Sequence, residues 1–503
     1  MIFSSVIFLF FFLPFVWTAY YLSWKKSQNL VLLLASLIFY TWGGREQVFV
    51  LLLSILVNYL VGLMFYLIDR ATVEGRTRVD FAGASVSQPN VHNLRKLLFI
   101  LGVTLNLALL TTYKYINFLV YNLNLSLGWL DSDSIAMDNV AAPLGISFFT
   151  FHALSYLIDT YQFKAAPQKN PLKLALYLAV FPKILAGPIL RYCDAENQLA
   201  ERRTTSQALS IGIQRFIIGL GKKVLLANPI AAVVDRIFTI PANELSFDLA
   251  WLGIICFTLQ IYFDFSGYTD MAIGLGKTFG FEFPENFNYP YISQSIQEFW
   301  RRWHISLSVW FRDYLYIPLG GNRCSPAKHY RNLIVVFLLC GLWHGASWNF
   351  ILWGLWYGFF LVFERLEIGR FLKTAWRPLR HLYALGVIVI GWVLFRADDL
   401  SYALHYLKAM SGFGAAGSGQ YYLAQYVDHE VTLTMAIGGA AALPVATLFK
   451  RLTGRFVASP RGPNRALAYG ISFVHFAILG LLFLLSCMAV AVGTYSPFIY
   501  FKF

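Results

Sequence analysis

The chain has 503 residues, 58% of them hydrophobic and 13% charged, with a mean hydropathy of +0.57; a soluble domain is about a quarter charged, so a soluble enzyme is excluded and a polytopic membrane protein is expected. Lysine plus arginine is 40 against 26 acidic residues, a net charge of +14, which reads as the positive-inside bias of membrane loops and not as a nucleic-acid surface. The five cysteines (Cys193, Cys256, Cys324, Cys340, Cys487) lack CxxC spacing, so neither a zinc site nor a disulfide framework is expected.

The first apolar segment, 2–22, has no basic start, and Lys25–Lys26 follow it. A signal peptide places charge first, so this segment is expected to stay as a span, with the N-terminus outside and Lys25 cytoplasmic. Apolar stretches follow from Leu30 to Trp42, broken by Gly43–Gly44, and from Val48 to Ile68. The polar segment 69–96 carries Arg70, Arg76, Arg78, Arg95 and Lys96 and is expected to be cytoplasmic. A span over 97–120 leads to loop 121–142, with Asp131, Asp133 and Asp138 and no lysine or arginine, expected outside. The chain re-enters at Pro143, and Lys164, Lys169 and Lys173 mark the next cytoplasmic loop.

The run 174–192 is apolar but interrupted by Pro182, Gly187 and Pro188, and it carries Lys183. It reads as a kinked or re-entrant segment buried in protein, either structural or lining a cavity. Another span covers 209–239, interrupted by Lys222–Lys223. The run 249–276 holds Asp264 and Asp270 among aromatic and small residues; carboxylates at membrane depth pair or line a wet cavity. An arginine of the 301–312 cluster is the expected partner, favoured over a direct catalytic role for these aspartates. The Pro-broken stretch 281–293 reads as an interfacial loop. The apolar run that holds His344 continues to Phe363, and further spans are expected over 382–396, 431–449 and 468–493, with a basic cytoplasmic stretch from Arg365 to Arg380 and Arg396 snorkelling at a helix end. No nucleotide-binding motif and no internal repeat is present. The expected fold is all-α, with about ten to twelve transmembrane and re-entrant helices.

Residues 295–345 concentrate the polar chemistry. Over 299–316 the spacing predicts one helix: Trp300, Trp303, Leu307, Trp310 and Tyr314 form an aromatic stripe, with Arg301, His304 and Ser308 on an adjacent face. An interfacial tryptophan belt accounts for the stripe, but less well for the histidine and the arginines. His344 stands within an apolar run, near the middle of a predicted span, bracketed by Gly341 and Gly345, small residues that let a backbone or a ligand approach. A desolvated, neutral histidine can take the proton of a hydroxyl attacking a thioester. No GxSxG elbow is present, so the nucleophile is expected to be the acceptor's own hydroxyl. HxxH spacing is absent, and no metal is expected.

The motifs PLGISFFTFHALSYLIDTY, FPKILAGPILRY, QIYFDFSGYTDMAIGLG, NFNYPYISQSIQEFWRRWHISLSVWFRDYLYIPLGGNR and CGLWHGASWNFILWGLWYG, with IFSSVIFLFFFLP at the start and SPFIYFKF at the end, resemble the membrane-bound O-acyltransferases. The resemblance is to the bacterial branch that acetylates exported polysaccharides such as alginate. It implies a ring of tilted and re-entrant helices around a central passage: one membrane-embedded domain over 1–503, with N-terminal helices in 1–140, a catalytic core in 141–365 and C-terminal helices in 366–503.

The resemblance assigns catalysis to His344 and a second signature position to His304. Arg301, Arg302 and Arg312 either hold donor phosphates or pair with Asp264, Asp270 and Asp313. Trp343 and Asn288, inside the shared motifs, complete the substrate-contacting candidates. It further implies an acetyl donor on the cytoplasmic side (acetyl-coenzyme A or another acetyl thioester, with no bound cofactor), and transfer through the bacterial cytoplasmic (inner) membrane. The acceptor is a polysaccharide, a periplasmic SGNH-type acetyltransferase partner, or both. Cellulose or peptidoglycan acetylation, D-alanyl transfer to teichoic acids, and a transporter of acyl donor or glycolipid without chemistry are the alternative readings.

Overall fold

The computed structural model describes residues 1–73, 88–366, 369, 372, 374–414, 420–445 and 465–493. The described residues are helical with no strand. Six of their helices are long and apolar enough to cross a membrane: Gln47–Ala71, Val91–Trp129, Ser206–Ile237, Phe247–Thr278, Arg377–Arg396 and Tyr469–Ala491. Phe8–Leu22, Gln28–Gly43 and Trp348–Phe363 are apolar but shorter. Large aliphatic and aromatic side chains remain exposed along these helices, Phe11, Phe49 and Phe473 among them. This is the surface expected of helices solvated by lipid tails. The chain is a multi-pass membrane protein.

It divides into two compact units, 1–209 with 276–284, and 210–275 with 285–503. In the first unit, α1 (Leu13–Leu22), α2 (Gln28–Gly43), α3 (Gln47–Val73), α4 (Gln88–Leu110) and α5 (Ile116–Trp129) form the N-terminal helices. The span predicted over 97–120 is one turn after another of a longer helix: Val91–Trp129 is continuous, so Arg95 and Lys96 lie in it and the following loop starts at residue 130. Arg76 and Arg78 of the predicted cytoplasmic loop lie outside the described residues.

α6 (Ile146–Tyr161) is buried along almost its whole length. α7 (Pro171–Ala179) stops at Val180, α8 (Phe181–Ile184) makes a single turn, and the backbone is irregular until α9 (Tyr192–Ala200). The interruption predicted within 174–192 is therefore present. Protein surrounds it: the Phe181 N–H donates to Ser36 Oγ at 3.0 Å and Tyr177 Oη to the Leu190 carbonyl at 2.9 Å.

In the second unit, α10 (Ser206–Gly221), a π-helical stretch Lys222–Ala227 and α11 (Asn228–Ile237) run on as one span. The lysine pair does not break it. α12 (Phe247–Thr278) packs against it through Gly219 and Gly267, and an irregular segment leads to α13 (Ile296–Arg302) and α14 (Ile305–Phe311). α15 (Pro326–His344) and α16 (Trp348–Phe363) form an antiparallel hairpin, followed by α17 (Arg377–Arg396), α18 (Leu400–Met410), α19 (His429–Ala441) and α20 (Arg465–Ala491). Arg396 does not snorkel. Its Nη2 pairs with Asp235 Oδ1 at 2.7 Å, and its guanidinium stacks on Phe238.

Candidate functional site

The single helix expected over 299–316 does not form. α13 ends at Arg302, Trp303 is extended, and His304 adopts a left-handed backbone (φ 44°, ψ 53°) before α14 begins. A left-handed non-glycine residue costs about 1–2 kcal/mol, so neighbouring structure has to hold it. The segment 286–288 does so. The Asn288 N–H donates to the Arg302 carbonyl at 2.9 Å, and the Ile305 N–H donates to the Asn286 carbonyl at 3.0 Å. The Asn286 side chain accepts from the Ser306 N–H at 3.1 Å and Ser306 Oγ at 2.9 Å. These long-range bonds, which no local spacing announces, override the helical periodicity. As a result Arg301, His304 and Ser308 do not share one helical face.

His304 is fully buried. Phe265 of α12 lies edge-on with ring centroids 4.7 Å apart, and the Trp343 ring is 6.0 Å away. Burial pushes its imidazole well down, to about 3, so the ring is neutral at neutral pH.

His344 is the last residue of α15, not the middle of a span, because the extended Gly345 ends the helix. The two flanking glycines make room for protein and not for a ligand. A Cβ on Gly341 would come within 2.1 Å of the Phe350 carbonyl oxygen, and one on Gly345 within 2.1 Å of the Phe350 ring. They let α16 close against α15. The His344 ring is thereby seated edge-on against Trp343, Trp353 and Phe395, at centroid distances of 4.9, 4.9 and 5.3 Å. His304 and His344 come together, with ring centroids 6.4 Å apart. Trp343 touches both rings. The buried indole N–H groups of Trp300 and Trp353 have no hydrogen-bond partner among the described residues. Buried donors without partners are costly and call for a reason.

The other candidates separate. Asp264 and Asp270 do not pair with the 301–312 arginines. Asp264, fully buried, meets Lys223 Nζ at 2.7 Å. Asp270 meets Arg215 Nη2 at 2.9 Å and Lys222 Nζ at 2.6 Å, and Arg215 also bonds Glu285. α10 and its π-helical extension, packed on α12, supply cations nearer than α13 does.

Arg302 is engaged by Glu298 at 2.9 Å and by the Asn288 carbonyl. The Asn288 side chain is exposed, and Asn286, two residues earlier, is the asparagine in contact with His304. Arg301 and Arg312 line a cavity of about 460 Å³, together with Arg365, Trp300, Ser308 and Cys340. Arg312 also pairs with Asp313 at 2.6 Å. Cys340 precedes His344 by one helical turn, and Trp300 precedes His304 by four residues. Arg365 was hidden from sequence reading because it stands in the basic stretch after α16, where a loop charge is the ordinary explanation.

The site thus sets a buried histidine pair close in sequence to the lining of a mostly apolar cavity that also carries Arg301, Arg312 and Arg365. That set of groups suits moving a proton at a hydroxyl while an anionic, partly apolar donor is held.

Sequence comparison points the same way. The model of the MBOAT, membrane-bound O-acyltransferase, family matches residues 1–402. The chain is 40% identical to the probable alginate O-acetylase AlgI of Azotobacter vinelandii, over 100% of both chains. It is 37% identical to the peptidoglycan O-acetyltransferase of Helicobacter pylori, over 82% of this chain and 80% of that protein. Similarity to the teichoic acid D-alanyltransferase of Bacillus subtilis is 30% over half of this chain. The chain belongs to the membrane-bound O-acyltransferase family.

Proposed function

We propose that the chain transfers an acetyl group from a cytoplasmic thioester across the bacterial inner membrane for O-acetylation of an exported polysaccharide, alginate. The observation that carries this reading is the buried His304–His344 pair, with ring centroids 6.4 Å apart, in a chain related over its full length to alginate O-acetylases. The resemblance to peptidoglycan and teichoic acid enzymes is lower or covers less of the chain.

His344 is the proton acceptor. As the acceptor hydroxyl oxygen bonds to the thioester carbonyl carbon, its proton passes to the imidazole. The tetrahedral adduct then collapses, the carbon–sulfur bond breaks, and the leaving thiolate takes that proton. The products are an O-acetyl ester and a free thiol. The indole N–H groups of Trp300 and Trp353 are available to the oxyanion of the adduct. Arg301, Arg312 and Arg365 hold the anionic part of the donor, with acetyl-coenzyme A the simplest thioester carrying phosphates. The immediate acceptor is the polymer or a periplasmic SGNH-type protein that relays the acetyl group. The N-terminus lies outside, an orientation that the charge of the first loops supports.

The test is polymer acetylation in a deletion strain complemented with His344→Gln. Mass spectrometry is expected to find acetyl-free polymer while the variant accumulates and folds as wild type does. Normal acetylation by a folded His344→Gln chain overturns the reading.

A further inference from the structure

One contact of the histidine pair determines more than position. Asn286 Oδ1 accepts from a backbone N–H, that of Ser306, at 3.1 Å. A backbone amide can only donate, so the atom there is the amide oxygen and the orientation of the Asn286 side chain is fixed. The same oxygen lies 3.2 Å from His304 Nδ1. Two acceptors cannot bond, so Nδ1 carries the ring proton, and in a neutral imidazole Nε2 is then a bare lone pair. His304 Nε2 is buried with no hydrogen-bond partner among the described residues.

We propose that Asn286 is a positioning residue of the transfer reaction: it locks His304 as the Nδ1–H tautomer in its left-handed backbone and leaves Nε2 as a hydrogen-bond acceptor for the hydroxyl of the incoming acceptor. This rests on the acetyl-transfer reading above. The single proton of that hydroxyl points to His304 Nε2 as the acceptor enters, and turns to His344 as the oxygen bonds to the thioester carbon. The groups packed on the His304 ring are Asn286, Phe265 from α12, and Trp343 and His344 from α15. His344 is the one titratable group among them, and Asp264, next to Phe265, is committed to Lys223.

The experiment uses the full chain in lipid nanodiscs and in membrane vesicles. With 15N-labelled histidine, the wild-type signal lost in His304→Gln is expected to show a protonated Nδ1 and an unprotonated Nε2. In vesicles supplied with radiolabelled acetyl-coenzyme A, Asn286→Ala is expected to lower kcat on the order of 10-fold or more, the scale of lost outer hydrogen-bond partners, with little change in donor KM. Asn286→Asp keeps every accepted bond and adds a negative charge beside Nδ1. That charge favours the imidazolium, so the acid limb of the rate profile moves up by about one to three pH units. A merely structural role would not move it.

A wild-type His304 protonated on Nε2 overturns the proposal whatever the variants do. So does a folded Asn286→Ala chain with wild-type rate and pH profile. Wild-type vesicles that move no acetyl, with His304 still protonated on Nδ1, would sink the transferase reading and leave the tautomer lock standing.

Discussion

Within the second unit, α10 with its π-helical extension shares ion pairs with α12, the first buried and the second half-buried: Lys223 against Asp264, and Arg215 with Lys222 against Asp270. Further along the chain, His304 and His344 are buried as well, but their neighbours are aromatic rings and one asparagine. Both sets are polar groups inside a membrane protein, where such groups are costly. The first closes on itself, each carboxylate meeting a cation. The second leaves a ring nitrogen of His304 and two indole N–H groups open. The first set finds its partners within the protein and serves architecture; the open groups of the second are where the account places the substrate.

The sharpest way to break this contrast is to remove the proton acceptor. His344→Gln is expected to lower acetyl transfer by about 10²- to 10⁴-fold, the range of general-base catalysis, without altering the melting temperature of the detergent-solubilised protein. Full activity in that variant would place the chemistry elsewhere. Asp264→Asn tests the other side. It strands the Lys223 charge and should destabilise the fold by about 3–5 kcal/mol, seen as loss of the monodisperse peak in size-exclusion chromatography. Replacing both partners by apolar residues, Lys223→Met with Asp264→Leu, is expected to restore folded protein.

A smaller effect separates the arginines. Arg301→Gln or Arg365→Gln should raise donor KM about 10-fold through a lost charge-assisted contact. Arg302→Gln, which breaks the partly exposed pair with Glu298 and the bond to the Asn288 carbonyl, should leave KM unchanged and cost about 1–2 kcal/mol of stability. Equal effects from all three would dissolve the assignment of the cavity.

How far these sites were legible differs by residue. His344 stood out because a histidine within a tryptophan- and glycine-rich apolar run has few structural explanations, and the long apolar runs announced the membrane helices directly. The glycines around it were legible as close-approach positions, yet which body approaches, α16 or a ligand, depends on the turn at Gly345.

The break at His304 was not legible. The tryptophan stripe continues through it at helical spacing, while the bonds that impose it come from Asn286, eighteen residues earlier. The same distance hides which asparagine of NFN turns inward: only backbone pairing with 302–306 places Asn286, and not Asn288, against His304. The carboxylate partners were misassigned for a related reason. Asp264 and Asp270 recruit cations from a helix about forty to fifty-five residues upstream, and nothing in local spacing ranks Lys223 above Arg301.

The central claim is that the histidine pair, with His304 Nε2 open, and not the salt-bridged set, performs the transfer. The measurement that tests it most directly is acetyl transfer from radiolabelled acetyl-coenzyme A to polymer in membrane vesicles, normalised to folded protein, for His344→Gln against the Lys223→Met, Asp264→Leu double variant. The account predicts loss of transfer in the first and retention in the second. Transfer surviving in His344→Gln and vanishing in a folded double variant would contradict it.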